Sequence, residues 1–122
     1  TRIYVKSILN LLNKHKNRKI IKGMAHITGG GLRENIPRIL PEGCAAHLER
    51  DRWDIPDIFK IIQNVGNIDH QEMYQVFNMG IGMVLIVSKS DVETVLNDLR
   101  HAKEPGIVIG KVTSGDRIVH IV

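Results

Sequence analysis

The chain has 122 residues, of which 43% are hydrophobic and 25% charged, and its formal net charge is +4. This length suits one compact domain with a modest core, and the composition is that of a globular protein. No apolar run approaches the ~18 residues that a membrane span needs, so we predict no membrane anchor. The single cysteine, Cys44, excludes an internal disulfide and favours a reducing cytoplasm.

Positive charge is concentrated at the start of the chain. Residues 1–22 hold seven Lys and Arg side chains and no Asp or Glu. The densest part, residues 14–19, contains no aromatic residue and coincides with the predicted end of a helix, where cations are stabilising. We therefore interpret it as a solvated helix end and predict no nucleic-acid binding.

Four elements are predicted in the first part of the chain. A first helix, over residues 2–15, carries apolar side chains at the spacing i, i+3, i+4 and i+7. These side chains are Val5, Ile8, Leu9 and Leu12. A strand over 20–28, a short helix over 32–40 and a strand over 45–48 follow. Pro37 is compatible with the short helix only near its start or at a kink.

Three further helices are predicted from stripes and caps. The first begins near Pro56, ends near Gly66 and carries an apolar stripe. That stripe is Ile58, Ile61, Ile62 and Val65. Asp69 with Glu72 predicts a capping box for the next helix, and Ser90 with Glu93 predicts another for the helix after that.

The remaining elements are strands. Residues 80–87 contain no polar side chain, which predicts a strand buried on both faces. Strands over 107–112 and 117–122 flank a turn-forming segment at 113–116, which predicts a hairpin. The predicted order is α-β-α-β-α-α-β-α-β-β. We expect an α/β (α+β) fold in which helices flank a mixed sheet.

Three consecutive glycines, Gly29–Gly31, lie between a predicted strand and a predicted helix. Glycine adopts positive φ values that can line up successive backbone N–H groups, and it has no Cβ to block a close approach. A helix that begins just beyond would add unpaired donors. The triplet fits two interpretations equally well: a turn that holds a phosphate, and a tight strand-to-helix connection.

Several polar residues surround this triplet. His26 could donate to a phosphate or carry a proton near neutral pH, although a strand histidine with an ordinary partner fits as well. Thr28 could donate its hydroxyl to an anion, and Asn35 follows one turn downstream. Arg38 carries the planar fork that suits phosphate, and a solvated surface arginine is the alternative.

The sequence supplies no complete catalytic set. Cys44 and His47 fall on opposite faces of a predicted strand, so we interpret the thiol as inert. The six histidines show no paired metal-ligand spacing, and we predict no metal bound by this chain. A second glycine pair, Gly80 and Gly82, lacks the third glycine and following helix of a dinucleotide fingerprint. It predicts a second position of close approach.

Three segments carry a resemblance to a known family: Thr1–Lys6, His26–Pro41 and Phe77–Met83. They resemble the phosphoribosylformylglycinamidine cyclo-ligases, the aminoimidazole ribonucleotide synthetases of purine biosynthesis. The resemblance implies an enzyme of two α/β domains, of which residues 1–122 match most of the second as a single domain. Because the chain enters a helix directly after Thr1, we expect a fragment. Since the resemblance does not include the first domain, we expect this fragment to be inactive by itself.

The resemblance also implies a reaction, cofactors and a site. ATP phosphorylates the formyl oxygen of formylglycinamidine ribonucleotide, and an amidine nitrogen closes the imidazole ring, releasing ADP and phosphate. ATP and Mg²⁺ would bind through the absent first domain, which would also form most of a homodimer interface. His26 is the candidate catalytic residue. The expected binding residues are Thr28, Gly29, Gly30, Gly31, Asn35, Asn78 and Gly80.

Two alternatives remain from the sequence. Related enzymes that make selenophosphate or thiamine phosphate, or that mature hydrogenases, share the two-domain plan. The Asn35–Pro41 run after the glycines favours the cyclo-ligase among these. The second alternative is a non-catalytic domain that binds a phosphate-bearing ligand.

Overall fold

The computed structural model describes residues 2–122 and has the predicted order of helices and strands. The helices are α1 (Val5–Lys14), α2 (Gly31–Asn35), α3 (Asp57–Gly66), α4 (His70–Val76) and α5 (Val92–His101). The strands are β1 (Ile21–His26), β2 (Cys44–Leu48), β3 (Met83–Val87), β4 (Gly110–Ser114) and β5 (Val119–Ile121). Short 3-10 turns follow α2, β2 and β3. The predicted mixed α/β class, with helices beside sheets, is confirmed.

Contacts divide the chain into two compact units. The first contains the chain up to Met24 together with Leu85–Val108, and the second contains Ala25–Val84 together with Ile109–Val122. Strands β1 and β3 form a two-stranded sheet, and the boundary between the units falls within both strands.

The first unit is held by a small apolar cluster and by ion pairs. Its buried side chains come from α1, from the start of β1 with the residue before it, and from α5; they are Leu11, Ile20, Ile21, Val95 and Leu99. The carboxylate of Asp98 accepts from Lys14 and lies 2.6 Å from His15 Nε2. The guanidinium of Arg18 donates to both oxygens of Asp91, at 3.1 and 2.7 Å. The basic segment thus packs against α5 through charge pairs, in addition to its solvated lysines.

The second unit contains a three-stranded sheet in the order β4-β2-β5. Strand β2 pairs with β4 in antiparallel orientation and with β5 in parallel orientation. The predicted hairpin is therefore wrong, because β2 lies between the two strands that were expected to pair. The connecting loop crosses the start of β2: Gly115 N–H donates to Gly43 O, and Arg117 N–H donates to Cys44 O at 2.7 Å. A Cβ at Gly115 would lie 2.5 Å from the Cβ of Ala45.

Two helix boundaries differ from prediction for local reasons. The helix predicted over 32–40 ends at Asn35 and continues as a 3-10 turn, Pro37–Ile39, since proline has no N–H to extend the α-helical ladder. Asp69 caps α4 by accepting from Gln71 N–H at 3.1 Å, which confirms that N-terminus. The predicted capping box at Ser90 is wrong. Asp91 is the N-cap of α5, and its carboxylate is engaged by Arg18.

Burial contradicts one prediction and leaves two predicted apolar stripes partly exposed. Every residue of β3 is partly exposed, because β3 pairs with β1 alone in the described part of the chain, so the predicted double burial is wrong. In α1 the buried side chain is Leu11, whereas Val5 and Leu9 of the predicted stripe are exposed. The α3 stripe is also largely exposed, at 55% for Ile58, 56% for Ile61 and 85% for Val65. Periodicity identified the apolar face without identifying what covers it.

Candidate ligand site at the glycine turn

The glycine triplet forms a tight turn from β1 into α2. Gly31 N–H donates to Thr28 O at 3.0 Å and closes the turn. Gly30 has φ +95° and Gly31 has φ +60°, values that side-chain-bearing residues rarely adopt. Gly29 has ordinary φ, and a Cβ there would meet no atom within 4 Å. Two of the three glycines are therefore required by the backbone conformation, and the third faces open space.

Asn35 holds this turn in place from inside the second unit. The residue is 4% exposed, and its Nδ2 lies 3.1 Å from Thr28 O, 3.3 Å from Gly29 O and 2.8 Å from Gly31 O. Its Oδ1 accepts from the Thr28 hydroxyl at 3.2 Å. The amide donors of Asn35 and the hydroxyl proton of Thr28 are therefore committed to the turn, and these residues position its backbone.

Gly31 places the turn against the end of α4. A Cβ on Gly31 would lie 2.5 Å from Tyr74 O and 2.6 Å from Phe77 O. Real Cβ atoms do not approach backbone oxygens so closely, so only glycine permits this contact. The contact brings the triplet beside the segment that begins at Asn78.

That second segment is itself a fixed turn. Gly80 N–H donates to Asn78 Oδ1 at 2.9 Å, and Met79 and Gly80 both have positive φ. Met79 O accepts from the indole N–H of Trp53 at 3.0 Å. A Cβ on Gly80 would lie 2.6 Å from Pro56 Cδ, so this glycine is also needed for packing. Its closeness to Pro56 explains a glycine at position 80 without any ligand.

A further hydrogen bond joins the two segments. Ile27 N–H donates to Gly82 O at 2.9 Å, just before the triplet begins. The structure thus brings together the triplet, its Thr28 and Asn35 supports, and the 78–82 segment, all in the second unit. His26 immediately precedes this group as an exposed residue at the end of β1. Arg38 is exposed on the 3-10 turn that follows α2.

One acidic residue, Glu34, was missed by the sequence argument. Its side chain folds back over Gly30, so that a Cβ on Gly30 would overlap the Glu34 carboxylate. The spacing of four residues on a helix that begins at the triplet was the signal that could have indicated it. A carboxylate therefore lies at the turn for which a phosphate was predicted.

The far end of α4 carries a separate polar cluster. Arg50 Nη1 lies 2.5 Å from His70 Nε2, and the His70 ring packs edge-on against Tyr74 with centroids 5.2 Å apart. Burial raises the pKa of the Tyr74 hydroxyl, and the charge of Arg50 lowers it by less.

Among residues 2–122, no group of three or more His, Cys, Asp or Glu side chains could hold a metal ion. None of the helices among these residues has the length and apolar character of a membrane span.

Comparison with known proteins gives a consistent family. Residues 1–122 match the family described as AIR synthase related protein, C-terminal domain. The phosphoribosylformylglycinamidine cyclo-ligase of Geotalea daltonii is 56% identical over 116 residues, which cover 95% of this chain and 32% of that protein. The same-named protein of Pseudothermotoga lettingae is 49% identical over 121 residues, covering 99% of this chain and 34% of that protein. The chain spans about one third of the length of these relatives.

Solved structures agree on the fold. In the crystal structure of the HypE–HypF complex, a chain superposes with a TM-score of 0.73 at 20% identity, covering 97% of this chain and 37% of that chain. E. coli HypE, a hydrogenase maturation protein, gives a TM-score of 0.66 at 17% identity, covering 93% of this chain and 36% of its own. At these identities the likeness concerns the fold alone, whereas the sequence relatives are cyclo-ligases. The chain belongs to the AIR synthase related family, because residues 1–122 match the C-terminal domain of that family.

Proposed function

We propose that this chain is the C-terminal part of an ATP-dependent cyclo-ligase that closes the imidazole ring of formylglycinamidine ribonucleotide. The observation that carries the proposal is the 49–56% identity to named cyclo-ligases over nearly the whole chain, together with the prebuilt glycine turn. Such ring closure depends on positioning and charge neutralisation more than on a protein nucleophile. The chain's own residues would serve that purpose by holding one side of the ribonucleotide.

The turn supplies a rigid backbone surface for this binding. Asn35 and Thr28 hold the turn through hydrogen bonds, and the Thr28 carbonyl accepts from the buried Asn35 amide. On the other side of the turn, a Cβ at Gly29 would meet no atom within 4 Å, so that side is open to a ligand. Asn78 and Gly80 would border the bound ribonucleotide from the neighbouring segment, and His26 would lie at its edge as the candidate proton carrier. Because the surface is formed by hydrogen bonds within the protein, it needs little ordering when the ligand arrives.

We assign the binding of ATP and Mg²⁺ to the part of the relatives that this chain does not span. When bound, ATP would supply the phosphoryl group that activates the formyl oxygen. We also propose a cytoplasmic homodimer, formed mainly through that other part.

The test is turnover by the protein at its full natural length. With ATP, Mg²⁺ and formylglycinamidine ribonucleotide we expect release of ADP that depends on the ribonucleotide, and formation of the aminoimidazole product. A matched reaction with the 122-residue chain alone should release no ADP. The proposal would be contradicted if the full-length protein did not turn over formylglycinamidine ribonucleotide and accepted a selenium or hydrogenase-maturation substrate instead.

A further inference from the structure

The hydroxyl of Tyr74 is buried without a hydrogen-bond partner. The residue is 2% exposed, and its hydroxyl oxygen is one of two buried side-chain polar atoms that have no partner among residues 2–122. The other, Nε of Arg33, belongs to a guanidinium that already donates to Val119 O. Burying a hydroxyl without a hydrogen bond costs folding free energy, and native structures rarely leave such a group unpaired. An acceptor that reached the Tyr74 hydroxyl would recover that cost.

The hydroxyl is a donor that lies near a guanidinium. Long side chains on a helix lean towards its N-terminus, and the Tyr74 ring does so, because it packs edge-on against His70 one turn earlier. The charge of Arg50 acts on the same hydroxyl. Burial has the larger effect and keeps the pKa of Tyr74 above its ordinary value, so the hydroxyl retains its proton at neutral pH. The ligand that suits this position is therefore a negatively charged acceptor.

Arg50 and His70 are held in place and supply further donors. The backbone N–H of Arg50 donates to Val122 O at 3.0 Å, which fixes this residue at the end of β5. Because a guanidinium only donates, His70 accepts from Arg50 Nη1 through Nε2, at 2.5 Å, and carries its own proton on Nδ1. Arg50 forms no ion pair with a carboxylate in the described part of the chain. Its positive charge is thus available to an anion.

The chemistry of these three side chains suits a phosphate. They offer a guanidinium fork, a phenol and an imidazole N–H, all within the second unit. A guanidinium pairs with phosphate through two parallel hydrogen bonds, and the remaining phosphate oxygens can accept from the other two groups. Arg50 and His70 are both exposed, whereas the hydroxyl is covered. We therefore expect Arg50 to exchange its hydrogen bond with His70 for hydrogen bonds to the entering anion.

We propose that Arg50, His70 and Tyr74 form a binding site for a phosphate group, which accepts from the Tyr74 hydroxyl and the Arg50 guanidinium. The site is separate from the glycine turn. Tyr74 faces Gly31 with its backbone carbonyl, whereas its ring extends towards His70 at the start of α4. The inference does not rest on the proposed function. Free phosphate and a phosphate ester present the same oxygens, and titration with each distinguishes these two sources.

Titration of the full-length protein with inorganic phosphate tests this inference. The NMR signals of the Arg50 Nε–H and of the His70 ring should shift saturably, and sodium chloride at the same ionic strength should not shift them. In Tyr74→Phe we expect the phosphate affinity measured from these signals to fall by about 10- to 100-fold, because a hydrogen bond to a charged group is lost. Tyr4→Phe removes a hydroxyl from the other tyrosine of this chain and should leave the affinity unchanged.

Ribose 5-phosphate is the ester probe in the same experiment. Saturation of the Arg50 and His70 signals at a lower concentration than with inorganic phosphate would identify an ester as the ligand. Saturation only at a higher concentration would identify free phosphate. Both results support the site.

The stability of Tyr74→Phe provides a second measurement. Without phosphate, removal of an unpaired buried hydroxyl should leave the midpoint of urea unfolding unchanged or raise it. Added phosphate should raise the wild-type midpoint more than that of Tyr74→Phe. The inference would be overturned if phosphate left the Arg50 and His70 signals unshifted, or if Tyr74→Phe bound phosphate as tightly as the wild type. A phosphate-free Tyr74→Phe markedly less stable than the wild type would also overturn it, since the hydroxyl would then have a partner within the protein.

Discussion

The start of the chain and the glycine turn are fixed by different kinds of interaction. In the first unit, residues 14–18 are tied to α5 by Asp98 and Asp91, through charged hydrogen bonds. In the second unit, the turn at 28–31 is tied by the neutral amide of Asn35 and by backbone packing of Gly31. Interactions of the first kind depend on pH and salt, whereas those of the second kind depend on shape. A turn that is built by shape keeps its geometry when pH or salt changes.

The largest expected effect comes from Gly31→Ala. The added Cβ would lie 2.5 Å from Tyr74 O, a backbone atom that cannot rotate away, and φ is +60°. We expect a loss of about 3 kcal/mol or more in the free energy of unfolding, from overpacking and backbone strain together. Urea unfolding of both chains measures it. Gly43→Ala is the matched control, since it has positive φ but open space around the site, and about 1–2 kcal/mol is expected there.

Asn35→Ala should have the next largest effect. It removes the buried amide that serves the carbonyls of Thr28, Gly29 and Gly31 and leaves a small cavity. We expect a loss of about 2–3 kcal/mol in the free energy of unfolding. Asn64→Ala, an exposed change on α3, should stay within about 0.5 kcal/mol. Equal effects of the two variants in the same urea titration would show that Asn35 does not hold the turn.

Asp98→Asn should have a smaller effect that depends on pH. Hydrogen bonds from His15 and Lys14 hold the pKa of Asp98 below its ordinary value. A depressed pKa contributes stability above the pKa of the unfolded chain, and that stability is lost as pH falls through the folded value. At pH 7 we expect the variant to be less stable by about 1–2 kcal/mol. Below the folded pKa of Asp98 the two chains should converge.

Thermal unfolding across pH checks this difference between the units. Asp57→Asn is the control, because its ion pair with Lys60 is exposed on both sides and longer, at 3.5 Å. The melting temperature of Asn35→Ala should stay lowered by a similar amount at every pH. A constant deficit for Asp98→Asn down to acid pH would contradict the assignment of charge to the first unit.

Local sequence patterns predicted the order of the helices and strands well. They predicted less well which strands pair and which faces are buried. The order of all ten helices and strands and the Asp69 cap could be inferred, because both depend on neighbouring residues. The hairpin was wrong because the insertion of β2 between β4 and β5 is a long-range choice that turn residues do not encode. The predicted double burial of β3 was wrong because a run of apolar residues does not tell which surfaces cover a strand. The predicted α3 stripe is largely exposed, since periodicity does not tell what covers an apolar face.

The sequence singled out residues around the glycine turn but did not predict their hydrogen bonding. Asn35 and Thr28 were selected as possible ligand contacts, and the structure engages their donors with the turn itself. Glu34 was missed, since a glutamate in the first turn of a helix is ordinary in a sequence. Its significance arises from the position of its carboxylate over Gly30, which only the folded backbone reveals.

Backbone amide shifts test the central claim most directly, namely that the glycine turn binds the ribonucleotide. Nitrogen-15 spectra of the full-length protein should be recorded as formylglycinamidine ribonucleotide is added. We predict saturable shifts of the Gly29, Gly30 and Gly31 amides and of the Asn35 side-chain amide, with residues 14–19 unaffected. Shifts confined to the basic segment, with the three glycine amides unchanged at saturation, would contradict the account.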